Sequence, residues 1–445
     1  MTEKQIDNKA FAFVERLVVK ENDDNKNNRR RNKGSIEEVQ VVDWSDKLVD
    51  DKPFIQKKYL PNISDYDITI AIDGVCYGFS DGEYIDYYKF IHEVVNYDSL
   101  NAKVSVEYLK EKVLLWIIEV FKSKRAVQSL TLYLSGLLSK DLKAKKYYYP
   151  VLNLTIEEPF SIGDIQFTYM TKDYFDEYWN KVKGNDNMTK DEFDSLLRKY
   201  QGRVFVVVET LAENKKGQEI SYKKACLAID MIKLLSPTVY YPDLTCYIDL
   251  EKRIPYTSEY LTQNKNEKFG FGINMSANNN PFHMPKSLCH QLKSSFGLLG
   301  SLFDNEKNDL DELLINSIKL VAKAIKETDL HLRISFLIMV LESIFLLDEE
   351  DYKMEKKCKR RISELMFPTE GKKYRELLDL LTNMYLIRHK MTHKSIRLYI
   401  ELQKLREFQT NLIDSIIRIL HNKHKLTNKV VLIEYLDRKV KPQSA

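Results

Sequence analysis

The stretch Leu386-Ile387-Arg388-His389-Lys390-Met391-Thr392-His393 places one arginine and two histidines at the end of a near-continuous apolar segment. If one helix runs through it, His389 and His393 stand four positions apart on the same face. Histidine changes charge near neutral pH and can take or give a proton. Arginine keeps its charge and presents a fork of donors suited to phosphate oxygens. Together they offer what cleavage of an RNA phosphodiester needs. One group takes the 2′-hydroxyl proton, another protonates the leaving oxygen, and a cation holds the crowded phosphorus. That chemistry requires no metal. The spacing alone is a weak signal, because short Arg…His patterns arise often by chance.

Two charges stand alone inside apolar runs. Glu342 separates Phe336–Leu341 from Ser343–Leu347, and Arg388 follows Met384-Tyr385-Leu386-Ile387. A helix that is apolar on all sides is buried, and an unpaired buried charge is costly or changes its protonation. Glu342 is therefore expected to meet Arg388 across a bundle, with Arg361 as the second candidate partner. Such a pair serves either a site or only the register of two helices. A competing reading gives His389 and His393 to zinc, helped by His421 and His424. It has neither a His-Glu-x-x-His phrase nor a cysteine partner. A third reading is a helical module that binds RNA or protein without cleaving it.

The elements that must position these residues change in character along the chain. Residues 1–40 hold a short amphipathic helix, Ile6–Val19, and a polar tract with Arg29–Arg31 that reads as a solvated linker. Residues 41–300 mix strands and helices: a hairpin of Tyr66–Ile72 and Val75–Phe79 across Asp73-Gly74, a strand at Val204–Thr210, and helices at Val106–Lys122 and Ser221–Leu235. Asn185-Asp186-Asn187 lacks the spacing of a calcium loop and reads as an exposed turn. Residues 244–290 read as irregular strands and loops, with His283 and His290 as surface or packed residues. From Asp309 the pattern is helical, about five helices ending near residue 425. The last of these is Ser395–His421, followed by a tail, 426–445, read as a strand or arm. The fold class expected is α+β, a mixed α/β amino-terminal region followed by an all-α bundle.

The chain has 445 residues, 44% hydrophobic and 30% charged, with few glycines and prolines, which argues against a turn-rich all-β fold. Its five cysteines are scattered, with no Cys-x-x-Cys pair, so a reducing cytoplasm is expected and no disulfide framework. No leader or membrane-spanning stretch is read, and no cofactor is expected. Residues 351–445 carry 22 Lys and Arg against 11 Asp and Glu, although the whole chain is only +4. A basic final fifth suits a polyanion such as RNA, or is simply a lysine-rich solvated surface.

Residues 305–425 resemble the HEPN superfamily, specifically the Apea-like HEPN domains of bacterial defence and toxin proteins. The phrase Met384-Tyr385-Leu386-Ile387-Arg388-His389-Lys390-Met391-Thr392-His393 is similar to the family's Arg, polar residue, three residues and His closing a helix. Val340-Leu341-Glu342-Ser343-Ile344-Phe345 and Lys359-Arg360-Arg361-Ile362-Ser363-Glu364-Leu365 are similar to its earlier Leu-Glu and basic helices. Many members have glycine after the final histidine; here Lys394 stands there, which leaves the turn after the motif open. The resemblance implies a metal-independent endoribonuclease that dimerises so that two Arg/His sets share one cleft. Arg388 would hold the scissile phosphate, His393 would move protons and His389 would assist. Glu342 would position Arg388, with Arg361 and Tyr385 supporting. Some HEPN domains only bind RNA or nucleotides, or act as scaffolds. By analogy the amino-terminal region would sense a phage or host trigger and restrain a toxic bundle.

Overall fold

The computed structural model describes residues 1–21, 54–57, 68–72, 75–79, 81–124, 128–182, 189–253, 257–263, 269–275, 281–304, 307–350, 352–368 and 371–438. The Arg29–Arg31 tract, the Asp73-Gly74 turn and the Asn185–Asn187 patch lie outside them. The chain divides into two compact units, Met1–Lys145 with Thr210–Glu219 and Lys146–Glu209 with Ile220–Ala445. The class is α+β with a helical carboxy-terminal part.

The first unit contains α1 (Glu3–Val14), β1 (Val18–Glu21), β2 (Phe54–Lys57), β3 (Ile68–Ile72), β4 (Val75–Gly78), α2 (Asp81–Val95), α3 (Val106–Ser123) and α4 (Leu130–Asp141). The strands form an antiparallel sheet in the order β1-β4-β3-β2. Ser105 caps α3 by accepting from the Tyr108 amide, and Leu109, Val113, Trp116, Ile117 and Val120 recur at helical spacing and are buried. The segment expected as one helix to Val19 ends at Val14. Val18 and Val19 pair instead with Gly78 and Tyr77 of β4. Their β-branched side chains suit an extended backbone better than a last helical turn.

The chain continues with β5 (Lys143–Leu152), β6 (Leu154–Ile156), β7 (Phe160–Ile162), β8 (Ile165–Tyr169), α5 (Lys172–Val182), α6 (Lys190–Tyr200), β9 (Val204–Ala212), α7 (Asn214–Lys233) and α8 (Pro237–Tyr240). Next come β10 (Asp249–Leu250), β11 (Thr257–Gln263), β12 (Phe269–Met275), β13 (Phe282–Met284) and α9 (Lys286–Gly300). The helices α10 (Asp309–Lys326), α11 (Leu330–Phe345), α12 (Met354–Met366), α13 (Lys372–Lys394), α14 (Leu402–His421) and α15 (Lys429–Arg438) complete it. The larger sheet has the order β10-β5-β9-β8-β7.

Three expectations are corrected here. The boundary at residue 300 does not exist as a break in packing. Phe167, Val206 and Val208 of the sheet and Leu314, Ile338, Leu381 and Ile416 of the helices belong to one buried cluster. Phe160 joins them by stacking on both Phe167 and Phe296, with ring centroids 4.7 and 5.1 Å apart. Second, residues 244–290 hold the expected strands, but β11 pairs with β12 in regular antiparallel register and the end of the stretch opens α9. Third, the tail is no arm: Leu432, Ile433 and Leu436 of α15 are buried. The five expected helices from Asp309 are present, but the last begins at Leu402 rather than Ser395.

Candidate active site

Helix α13 runs unbroken through the motif to Lys394. Its Leu377, Leu381, Met384 and Ile387 are buried, which fixes which face turns outward. The chain then reverses at Ser395, which takes a left-handed backbone with φ 53°. The amides of Ser395 and Ile396 both donate to the Lys390 carbonyl and close the helix end. The turn thus falls one residue beyond Lys394, on a serine where glycine is the commoner choice.

Arg388 donates from Nη1 to Oε1 of Glu342 on α11 at 2.7 Å, with side chains 30% and 20% exposed. The contact uses one of the guanidinium's N–H groups and leaves others open to solvent. His389 and His393 are exposed, with ring centroids 4.8 Å apart and planes at 43°. Lys390 and Lys394 lie in the same turn and a half. Cations here also interact favourably with the helix carboxy-terminus, which is a structural reason for them independent of any ligand. Five residues along a helix correspond to about 140° about its axis, so Arg388 and His393 of one chain project from different faces.

Arg361, the alternative partner for Glu342, is placed elsewhere. It is 2% exposed, and donates to Glu350 (2.5 and 2.8 Å), Asp437 (2.8 and 3.0 Å) and the Phe345 carbonyl (2.8 Å). Arg360 also pairs with Asp437. The Arg361 hydrogen bonds hold the Glu350 carboxyl down at about 2, and Arg361 and Arg360 lower Asp437 against the opposing effect of burial. Arg361 therefore ties α12 to α15 and to the end of α11, and does not reach the motif.

Tyr385 is likewise inside. Its hydroxyl is buried beside the Cys358 thiol, and that burial, with Cys358 and Glu342 adding to it, pushes its ionisation far up. Burial also pushes the Cys358 thiol up to about 12. Cys358 was not anticipated, since nothing in its sequence surroundings marks it. His283 and His290 are exposed and pair with Glu157 (3.3 Å) and Glu158 (3.0 Å). Among the described residues no three His, Cys, Asp or Glu side chains are gathered as a metal-ligand set. No helix among them is long and apolar enough to cross a membrane. Comparisons with protein-family models, with curated proteins and with solved structures give no match.

Proposed function

We propose that this chain is a metal-independent endoribonuclease of the HEPN type that cleaves RNA through attack of a 2′-hydroxyl. The observation that carries the reading is the outer end of α13, where two exposed imidazoles share one face and a half-buried arginine braced by Glu342 lies in the adjoining turn. In this mechanism His393 takes the 2′-hydroxyl proton or protonates the leaving 5′-oxygen, and His389 assists as its immediate neighbour. Arg388 uses its uncommitted donors to hold the phosphate as negative charge builds on it. Glu342 fixes the guanidinium without neutralising all of its donors. The angular separation of Arg388 and His393 is met by a homodimer in which the arginine of one copy faces the imidazoles of the other. The setting is a toxin or anti-phage effector of the abortive-infection kind in the cytoplasm, with the first unit sensing a trigger or restraining the second.

One observation favours a second reading. Arg388 already has a carboxylate partner, and a guanidinium spent on helix register would leave a non-catalytic dimer that binds RNA, nucleotide or protein. An RNA cleavage assay in excess EDTA separates the two. The nuclease reading expects cleavage by the parent, lost in both Arg388→Ala and His393→Ala. Binding without cleavage supports the second reading, and cleavage retained by both variants removes the first.

A further inference from the structure

The turn between α8 and β10 holds an aromatic surface that the α13 motif does not use. Tyr240, Tyr241, Leu244 and Tyr247 are 48%, 59%, 47% and 40% exposed. Clustered exposed apolar surface of this kind marks an interaction site. The backbone beneath it is pinned. The Tyr241 amide donates to Pro237 O (2.9 Å) and the Leu244 amide to Tyr241 O (3.0 Å). Asn153 Nδ2 donates to Tyr247 O (2.9 Å), and Gln409 Nε2 to Val239 O (3.0 Å). The rings are thus presented by a fixed scaffold.

Beneath this turn lies a cation with no bonded anion. Arg333 is 1% exposed and donates to Pro242 O (2.7 Å) and to Glu327 O (3.0 and 2.6 Å). All its acceptors are carbonyls, and among the described residues no carboxylate lies within ion-pair distance. Glu327 and Asp243 act on it only through space. Glu327 closes the carboxy end of α10, so these carbonyls hold the guanidinium as a helix-end cap beneath the turn. A second cation, Arg406 of α14, sits over the Tyr240 ring at 5.6 Å. Beside the tyrosines a cavity of about 550 Å³ opens among Asn153, Thr238, Leu244, Cys246, Tyr247 and Phe282. That volume lies within the range of small-ligand sites and has room for one nucleoside.

We propose that this surface is a second binding site for single-stranded RNA, with bases stacked on Tyr240 and Tyr241, backbone phosphate at Arg406 and one extruded base in the cavity beside Tyr247. Flat rings that accept any base, beside a cation placed to meet the backbone, are the chemistry of single-strand recognition. Asp243 lines the cavity and offsets part of the local charge, so few phosphates are engaged. The proposal takes its ligand class from the ribonuclease reading but locates binding on a surface that reading does not need.

The test measures binding of a fluorescent 12-nucleotide single-stranded RNA to the full-length His393→Ala chain, and cleavage by the parent beside it. Tyr240→Ala with Tyr241→Ala is expected to weaken binding about tenfold or more, while Tyr240→Phe with Tyr241→Phe stays near the starting value. Arg406→Ala should reduce the slope of log affinity against log salt by about 0.7. Unchanged affinity in a folded alanine double variant overturns the proposal. So does a change in sedimenting mass in place of a change in RNA affinity, since that marks a protein interface. Parent cleavage without tyrosine-dependent binding sinks this site alone. Tyrosine-dependent binding with no parent cleavage upholds this site and sinks the ribonuclease reading alone.

Discussion

Glu342 and Arg388 were legible as a pair because each is the lone charge in a run that would otherwise be buried, and one contact at 2.7 Å resolves both. Arg361 was misjudged for the complementary reason. Its partners Glu350 and Asp437 lie in a polar connection and in a tail whose helix was not foreseen, so the search for a partner to the lone charge Glu342 pointed to the wrong acid. Substitution Glu342→Gln keeps shape and removes the charge that braces Arg388. It should cost under about 1 kcal/mol in stability, because the pair is partly exposed. RNA cleavage should nevertheless fall tenfold or more, as read by initial rates beside a urea melt. Ser395 predicts the opposite kind of effect. Glycine removes the cost of a side chain at φ 53°, so Ser395→Gly should stabilise the chain by about 1 kcal/mol in the same melt. Cys358, fully buried with its thiol pushed up to about 12, should resist alkylation until the protein is unfolded.

At the scale of elements, helices with strong apolar periodicity were readable nearly to the residue, as α10 and α3 were. Those that failed carry mixed signals. Residues 286–300 contain serines and glycines that weaken a helical reading, yet α9 forms and its Gly300 serves a close approach. A Cβ on Gly300 would lie 2.4 Å from the Gly163 backbone nitrogen at the β7–β8 turn, where Gly163 itself has φ 59°. Backbone cannot yield as a side chain tip can, so Gly300→Ala should destabilise by about 2 kcal/mol or more. The α12–α15 clasp makes a pH-dependent prediction. Glu350 is held down to about 2 by Arg361, with Lys357 and the Leu347 amide assisting. A depressed folded-state value gives stability that is complete above the ordinary value of 4.5 and lost as pH falls toward 2. Glu350→Gln should therefore cost about 2 kcal/mol at neutral pH by urea denaturation, with the gap to the parent narrowing between pH 4.5 and 2.

At the scale of the whole molecule, the sequence suggested a cut at residue 300, where composition turns helical. The fold draws the line elsewhere, because composition does not say which face a sheet covers. One buried cluster runs from Val151 to Leu436, and a separate one from Ile6 to Leu134. A fragment beginning at residue 301 loses the β8 and β9 side of its core and should aggregate or melt without a cooperative transition. A chain lacking residues 1–142 keeps the Val151–Leu436 cluster whole and is the form in which release from restraint should be sought. The central claim, attack by a 2′-hydroxyl arranged by Arg388 and His393, is tested most directly by the chemistry of the cut ends. RNA cleaved by the parent in EDTA should carry 2′,3′-cyclic phosphate on one side and 5′-hydroxyl on the other, and a 2′-deoxy substitution at the cut site should block it. Ends bearing 5′-phosphate and 3′-hydroxyl, or cleavage at the 2′-deoxy position, would contradict it.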